Sequence, residues 1–129
     1  MYILEVGAGC MKKYSVPFPH LSPDVEALIS LLKTSEGGRT RGTMSGYRPA
    51  HLVNEHYLTT GEHQYYSDDN ILNLGEEVLG TITFISPEHY PNCLWVGKII
   101  PFQEGRRVIG YAKIMKIYNN ILKRQEYKK

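Results

Sequence analysis

Apolar and polar residues alternate in several short segments of the chain, and glycine or proline punctuates the intervals between them. The alternation is clearest in Ala50–Thr59, and Glu77–Ser86 is rich in β-branched residues up to Pro87. Trp95–Gln103 and Val108–Ile117 have the same character. Short strands at a spacing of roughly 8–12 residues are typical of a barrel or a sandwich. The pattern therefore predicts an all-β fold.

The two ends of the chain have different patterns. Residues 1–24 contain three prolines near their end, which predicts an irregular N-terminal extension. Val25–Lys33 fits either a helix or a strand by composition. From Ile114 onward apolar residues recur at helical spacing, so we expect a short C-terminal helix. A globular domain over residues 25–118 then precedes a basic tail, residues 119–129, that is partly helical.

Length and cysteine content restrict the class of protein further. The chain has 129 residues, which fits one domain. Its two cysteines are too few for a disulfide framework and are expected as free thiols in a reducing compartment. No apolar run approaches the roughly 20 residues that a membrane-spanning helix needs. We therefore expect a cytoplasmic protein. Met11 precedes two lysines, so residues 1–10 are either native or a leader from start-codon choice.

Charged residues are distributed unevenly along the chain. Residues 1–48 contain six basic and four acidic side chains, whereas residues 49–97 contain seven acidic ones and neither lysine nor arginine. Residues 98–129 contain nine basic side chains against two acidic ones. If the fold keeps these thirds apart, the protein has an acidic surface and a basic one; if it interleaves them, the fields cancel.

Little in the sequence points to catalysis. No phosphate-binding glycine loop of the P-loop type is present, and no serine, threonine or cysteine has the surroundings of an activated nucleophile. Adjacent Glu-His pairs point to opposite faces of a strand and cannot share a metal ion. His51 and Glu55 share a face but supply only two ligands. We expect no enzyme activity, no GTP binding, no cofactor and no metal.

Two loops that combine glycine with arginine carry the most information. The first contains Glu36–Arg39 and, six residues later, Gly46–Pro49; the second is Gln103–Gly110, with a tight turn at residues 105–107. Tyr47 offers a flat apolar body, and Arg48 a planar fork of donors. Such loops are either structural turns with an arginine stacked on a tyrosine or a binding surface. The candidate partner-binding residues are Arg39, Tyr47, Arg48, Glu104, Gly105, Arg106 and Arg107.

Taken together, these motifs resemble the third domain of bacterial elongation factor Tu, its C-terminal β-barrel. The EGGR loop, the GYRP segment and EG-x-R-x-x-G occur in the same order, and the likeness covers about Val25–Ile117. The resemblance implies a small Greek-key β-barrel over residues 25–118. It assigns Val25–Lys33 to the first strand and places a turn at residues 59–61.

The family's third domain contacts the backbone of the tRNA T-stem and the exchange factor Ts. In the resemblance, the loop that contacts tRNA corresponds to Glu104, Gly105 and Arg107, which are retained. Two neighbouring positions differ: Gln103 replaces a family arginine, and Arg106 replaces a family glycine. The chain contains no counterpart of the GTPase domain, so the resemblance implies no GTP cycle. A few salt-screened phosphate contacts imply only weak binding to the tRNA backbone.

Two classes of function follow from the resemblance. The first is a non-catalytic protein-interaction module that mimics this domain, as an immunity or decoy protein binding a toxin or a factor that recognises it. The second is a translation-associated RNA-binding module that uses Arg39, Arg48, Arg107 and the basic tail. A remnant without retained activity is a third alternative. Exposed barrel edges would favour a homodimer.

Overall fold

This computed structural model describes residues 22–125 of the chain. These residues contain eight β-strands. The strands are β1 (Val25–Leu31), β2 (Thr43–Met44), β3 (Ala50–Asn54), β4 (Tyr57–Tyr65), β5 (Ile71–Leu72), β6 (Glu77–Phe84), β7 (Ile99–Glu104) and β8 (Arg107–Ile117). Two single-turn 3₁₀ helices, Thr34–Glu36 and Pro87–His89, lie in the loops. The prediction of an all-β chain is confirmed.

Six antiparallel strands close into a barrel in the order β1-β6-β4-β3-β7-β8, and β8 pairs with β1 to complete the ring. Strands β2 and β5 form a separate two-stranded sheet. Because the ring is closed, each of its six strands has a hydrogen-bonded neighbour on both sides, although β3 and β7 pair only at residues 50–51 and 102–103. Closure therefore weakens the argument that exposed barrel edges favour a homodimer.

The barrel interior is filled by residues that alternate along strands such as β1 and β3, whereas residues 80–84 of β6 are all buried. On β1, Val25, Ala27, Ile29 and Leu31 are buried, while the residues between them are half-buried. This alternation confirms that the segment is a strand, despite a composition that also suits a helix. Pairing on both sides, with β6 and with β8, decides the conformation because tertiary contacts override local propensity.

The prediction of one strand over Ala50–Thr59 is wrong, because the chain reverses direction inside this segment. β3 ends at Asn54 and β4 begins at Tyr57. The side-chain oxygen of Asn54 accepts a hydrogen bond from the backbone N–H of His56 at 3.0 Å, which makes a tight turn. The turn expected at residues 59–61 is also wrong, since these residues lie within β4.

The expected C-terminal helix is absent from the described residues. β8 continues to Ile117, and residues 118–125 then fold back beside residue 94. Leu94 donates its N–H to the Leu122 carbonyl at 2.8 Å, and Arg124 donates to the Leu94 carbonyl at 2.7 Å. Leu122 is fully buried. The apolar residues at helical spacing therefore lie in β8 and in the segment that folds back, residues 118–125, which we call the return segment. Residues 126–129 of the tail and residues 1–21 of the N-terminal extension lie outside the described residues.

A chain of polar side chains runs through the barrel core. His51 and His63 are fully buried with their Nε2 atoms 2.8 Å apart, and His63 Nδ1 lies 3.1 Å from the Tyr65 hydroxyl. That hydroxyl is in turn 2.6 Å from the Thr43 hydroxyl. The Nδ1 atom of His51 has no hydrogen-bond partner among the described residues. Glu55 is exposed in the turn, so the expected face shared by His51 and Glu55 does not form.

Burial keeps both core imidazoles neutral. It lowers the pKa of His51 from 6.5 to about 3, although the nearby carbonyls of Thr59 and Pro49 favour the charged form. Burial, together with the proximity of His51, holds the pKa of His63 well below its usual value. Protonation of either ring would place a charge among aromatic side chains, which is costly.

We predict that acidification destabilises the barrel. Below pH 6.5 the unfolded chain takes up protons at His51 and His63 while the native protein does not, so the free energy of unfolding falls as the pH falls. Each histidine contributes a slope of up to about 1.4 kcal/mol per pH unit. Urea unfolding from about pH 7.5 to about pH 5 measures this slope.

Two variants distinguish the effect of the buried pair His51 and His63 on this slope from that of an exposed histidine. A double variant, His51→Leu with His63→Leu, removes both partners together and should flatten the slope. His56→Gln changes an exposed histidine and should leave it unchanged. An equal slope in the wild type and the double variant would contradict the prediction.

Gly110 lies where β8 passes close to its neighbours. A Cβ atom at this position would overlap the carbonyl oxygen of Ser30 and the ring of Phe102. Gly110→Ala should therefore lower the free energy of unfolding by about 3 kcal/mol, because backbone must move to admit the methyl group. Tyr111→Ala, at an exposed neighbouring position, should cost less in the same urea titration. A cost for Gly110→Ala no larger than that of Tyr111→Ala would contradict the prediction.

Candidate functional site

The first glycine–arginine loop follows β1 and is held by its own polar groups. Glu36 accepts a hydrogen bond from the Lys33 N–H at 2.8 Å, and Thr34 donates its hydroxyl to the Arg39 carbonyl at 2.6 Å. Gly37 has φ +93°, in the left-handed region, and a Cβ at Gly38 would overlap the backbone of residue 32. Both glycines are therefore needed, one for its conformation and the other for space.

The second loop is the hairpin between β7 and β8. Glu104 pairs with Arg107, and Gly105 with φ +58° allows the two-residue reversal between them. Gln103 donates its side-chain amide to the Gly105 carbonyl at 2.6 Å. The tight turn predicted at residues 105–107 is confirmed, and it leaves Arg106 and Arg107 exposed.

The two loops meet at one carboxylate. The Oε2 atom of Glu104 accepts hydrogen bonds from the Arg39 guanidinium and from the Tyr47 hydroxyl. The Arg39 guanidinium also lies over the Tyr47 ring, with its Cζ 5.2 Å from the centroid. We call Arg39, Tyr47 and Glu104 the loop cluster. It includes the predicted stacking of an arginine on a tyrosine and joins segments about 65 residues apart in sequence.

Electrostatics fix the protonation states of the loop cluster. Burial, reinforced by the Glu104 carboxylate, raises the pKa of the Tyr47 hydroxyl, so this group remains a donor at neutral pH. Partial burial acts to lower the pKa of Arg39, but its hydrogen bonds to Tyr47 and Glu104 raise it above the usual value. The arrangement is a charge-assisted network with one acceptor and two donors.

Arg48 takes part in a different contact. Its Nε and Nη2 atoms lie 3.0 Å and 2.9 Å from Glu62 Oε2, and the Glu62 side chain is only 1% exposed. A charged side chain this deeply buried requires a partner, so Arg48 stabilises the barrel wall. Sequence analysis missed Glu62. No signal in the sequence marked it, because an acidic residue after the predicted turn at residues 59–61 is ordinary for an exposed position.

The structure therefore separates the seven candidate residues into three groups. Arg39, Tyr47 and Glu104 are in direct contact, Arg48 pairs elsewhere, and Gly105, Arg106 and Arg107 form the hairpin tip beside Glu104. Guanidiniums at an exposed hairpin tip suit carboxylate or phosphate groups of a partner.

The strand order also bears on the uneven charge of the sequence. The strands β6, β4 and β3, which come from the acidic middle third, are consecutive neighbours around the barrel, and so are β7 and β8 from the basic last third. The strands of each third are therefore clustered, although most acidic residues of the middle third lie outside the barrel strands and Glu62, on β4, is buried. Lys113 and Lys116 are exposed on the basic side.

No protein-family model matches the chain. Within residues 22–125, no helix has the length and apolar character needed to cross a membrane. The same residues contain no group of three or more His, Cys, Asp or Glu side chains that could hold a metal ion.

We predict that Tyr47 and Glu104 are energetically coupled. Tyr47→Phe keeps the ring under Arg39 but removes the hydroxyl donor, and Glu104→Gln removes the charge that this donor stabilises. A double-mutant cycle in urea should give a coupling energy of about 1 kcal/mol, since the bond is charge-assisted but partly exposed. A cycle that pairs Tyr47→Phe with the distant Met115→Ala is the matched control and should give none. A coupling energy near zero for Tyr47 and Glu104 would contradict the loop cluster.

Proposed function

We propose that the chain is a cytoplasmic, non-catalytic protein-interaction module that mimics the third domain of bacterial elongation factor Tu. In its most specific version, the proposal is that the chain is an immunity or decoy protein that binds a toxin or a factor recognising that domain. The proposal includes the Greek-key likeness of the barrel to the factor's third domain. It rests on the order and spacing of the EGGR, GYRP and EG-x-R-x-x-G motifs.

The loop cluster is the observation that carries the proposal. Two motifs far apart in sequence converge on Glu104, and this contact holds the hairpin tip in one orientation. A binding surface gains affinity when its groups are ordered before the partner arrives. Arg106 and Arg107 stand on such an ordered support, and the separation of acidic and basic strands favours selection between protein partners.

The alternative is an RNA-binding module built from the same loops and the basic tail. Exposed Arg106, Arg107, Lys113 and Lys116 support it. However, Arg39 and Arg48, two of the arginines on which it depends, already bind the carboxylates of Glu104 and Glu62. Fewer cations are then available for phosphate, and binding to RNA would be correspondingly weaker and less sensitive to salt. We therefore place the protein partner first.

Affinity purification of the tagged full chain, with and without nuclease, tests the two functions. We expect a protein partner that survives nuclease and is displaced by the isolated third domain of elongation factor Tu. Arg107→Glu, which reverses one charge at the hairpin tip, should weaken its capture, since like charges across an interface are unfavourable. Quantitative mass spectrometry of the eluates is the measurement.

Arg41→Glu is the matched control, because it reverses an exposed arginine that lies before β2 and outside the loop cluster. It should leave capture unchanged. Loss of all captured material on nuclease treatment would favour the RNA-binding module. Recovery of no partner, or of one that the third domain does not displace, would overturn the mimicry.

A further inference from the structure

A second surface, unrelated to the motif loops, surrounds Trp95. The Lys98 ammonium lies 4.5 Å from the centroid of the indole, and the Arg124 guanidinium lies 4.2 Å from it. Trp95 is the chain's only tryptophan and is 38% exposed. Two cations over one partly exposed indole are an unusual concentration of groups that dominate the energy of protein interfaces.

Backbone contacts hold the Lys98 side chain and the main chain on either side of the indole. Lys98 Nζ donates to the carbonyls of Val53 and Cys93 at 2.6 Å and 2.7 Å. Arg124 belongs to the return segment that is hydrogen-bonded to Leu94, directly before Trp95. Gly97, with φ +95°, closes the turn that presents Trp95 and Val96. The indole is therefore ordered before any partner binds.

Exposed apolar groups lie next to the indole. Val96 is 62% exposed, and Ile99 is 59% exposed. Beside them is an open groove of about 520 Å³. Its apolar lining comes from Leu52, Pro91, Trp95, Ile99, Ile100 and Pro101, and its polar lining includes Asn54, Glu55, Asn92 and Lys98. We call this surface, with Arg124 at its rim, the Trp95 corner.

The charge of the Trp95 corner indicates the chemistry of its occupant. Lys98 and Arg124 contribute two positive charges beside the indole, and Glu55 contributes one negative charge at the groove. Because Lys98 and Arg124 lie over the same indole, their like charges repel one another. Burial is the main cause that lowers the pKa of Lys98, and Arg124 adds to it. A carboxylate from a partner would relieve that repulsion, and the groove beside it would accept an apolar side chain.

We propose that the Trp95 corner docks a protein segment in which an acidic residue stands next to a large apolar one. The acidic residue would pair with Arg124 at the rim, and the apolar residue would pack in the groove between Trp95 and Ile99. This surface is additional to the hairpin tip. Ile99 begins β7 and Glu104 ends it, so the two surfaces lie about 17 Å apart at opposite ends of one strand.

Nucleic acid is a poorer occupant of this surface. Two cations already lie over the indole, so a stacking base would compete with them. The Lys98 ammonium already donates to two backbone carbonyls, so only one of its three N–H donors remains for a phosphate. The exposed side chains of Val96 and Ile99 have no role in binding a phosphate backbone, whereas both suit a protein contact.

Selection of a displayed library of random short peptides against the full chain tests the proposal. We expect enriched peptides to combine Asp or Glu with Trp, Phe or Leu. Fluorescence anisotropy with the enriched peptides as synthetic probes then gives the dissociation constants. Trp95→Ala, Val96→Ser and Arg124→Glu should each weaken binding at least about tenfold, as at the centre of an interface. Replacing the peptide's Glu by Gln should do the same.

Matched controls distinguish local from general effects. Arg41→Glu reverses an exposed arginine elsewhere, and Met44→Ser removes an exposed apolar side chain of similar exposure to Val96. Both should change the dissociation constant by less than about twofold. Arg107→Glu should also leave peptide binding intact, so failure of the proposed mimicry and failure of this proposal are separable. Val96 is exposed, so Val96→Ser tests the surface even if Trp95→Ala fails to fold.

Three outcomes would overturn the proposal. The first is the absence of any enriched peptide. The second is enrichment of peptides that bind Trp95→Ala, Val96→Ser and Arg124→Glu as tightly as the wild type. The third is binding of a labelled single-stranded RNA that Arg124→Glu weakens while no acidic peptide binds, which would assign the Trp95 corner to nucleic acid.

Discussion

Pairing of β8 with β1 is the constraint on which the rest of the structure depends. It closes the ring of strands, so the main-chain hydrogen bonds of β1 are satisfied on both sides. Asp24 secures this seam: its carboxylate accepts from the Phe84 N–H at 2.6 Å and from the Asn119 side chain at 2.8 Å, and its carbonyl accepts from the Tyr118 N–H at 2.8 Å. Closure also brings the return segment against Leu94 and so supports the Trp95 corner.

Several polar groups inside and on the wall of the barrel each have a specific partner. Glu62 is neutralised by Arg48, Glu104 receives two donors, and the core imidazoles share one hydrogen bond. Buried polar groups cost free energy unless such partners are in place. The same contacts that remove this cost also orient the loops, so stability and surface geometry are set together.

Sequence reasoning predicted the strands where periodicity and pairing agreed, and it failed where they did not. β8 follows from its apolar pattern and the hairpin tip from Gly105, whereas β1 was assigned through the resemblance because its composition also suits a helix. The turn after Asn54 was missed because Asn-Glu-His lacks the glycine that usually marks a two-residue hairpin. The predicted tail helix failed because a 3.6-residue spacing of apolar residues says nothing about which neighbour buries each one. The pairs Arg39–Glu104 and His51–His63 depend on contacts between distant segments, which spacing does not encode.

The position of the seam has a mechanical consequence. Val25, at the start of β1, lies opposite Ile117, at the end of β8, so the chain enters and leaves the barrel at the same end. A force that pulls the two ends apart therefore peels β8 from β1 one hydrogen bond at a time and never loads the whole ladder in shear. A processive unfoldase that pulls from the C-terminal side first detaches the return segment from Leu94 and then meets this zipper. Resistance to denaturant and resistance to pulling are accordingly separate properties of this barrel.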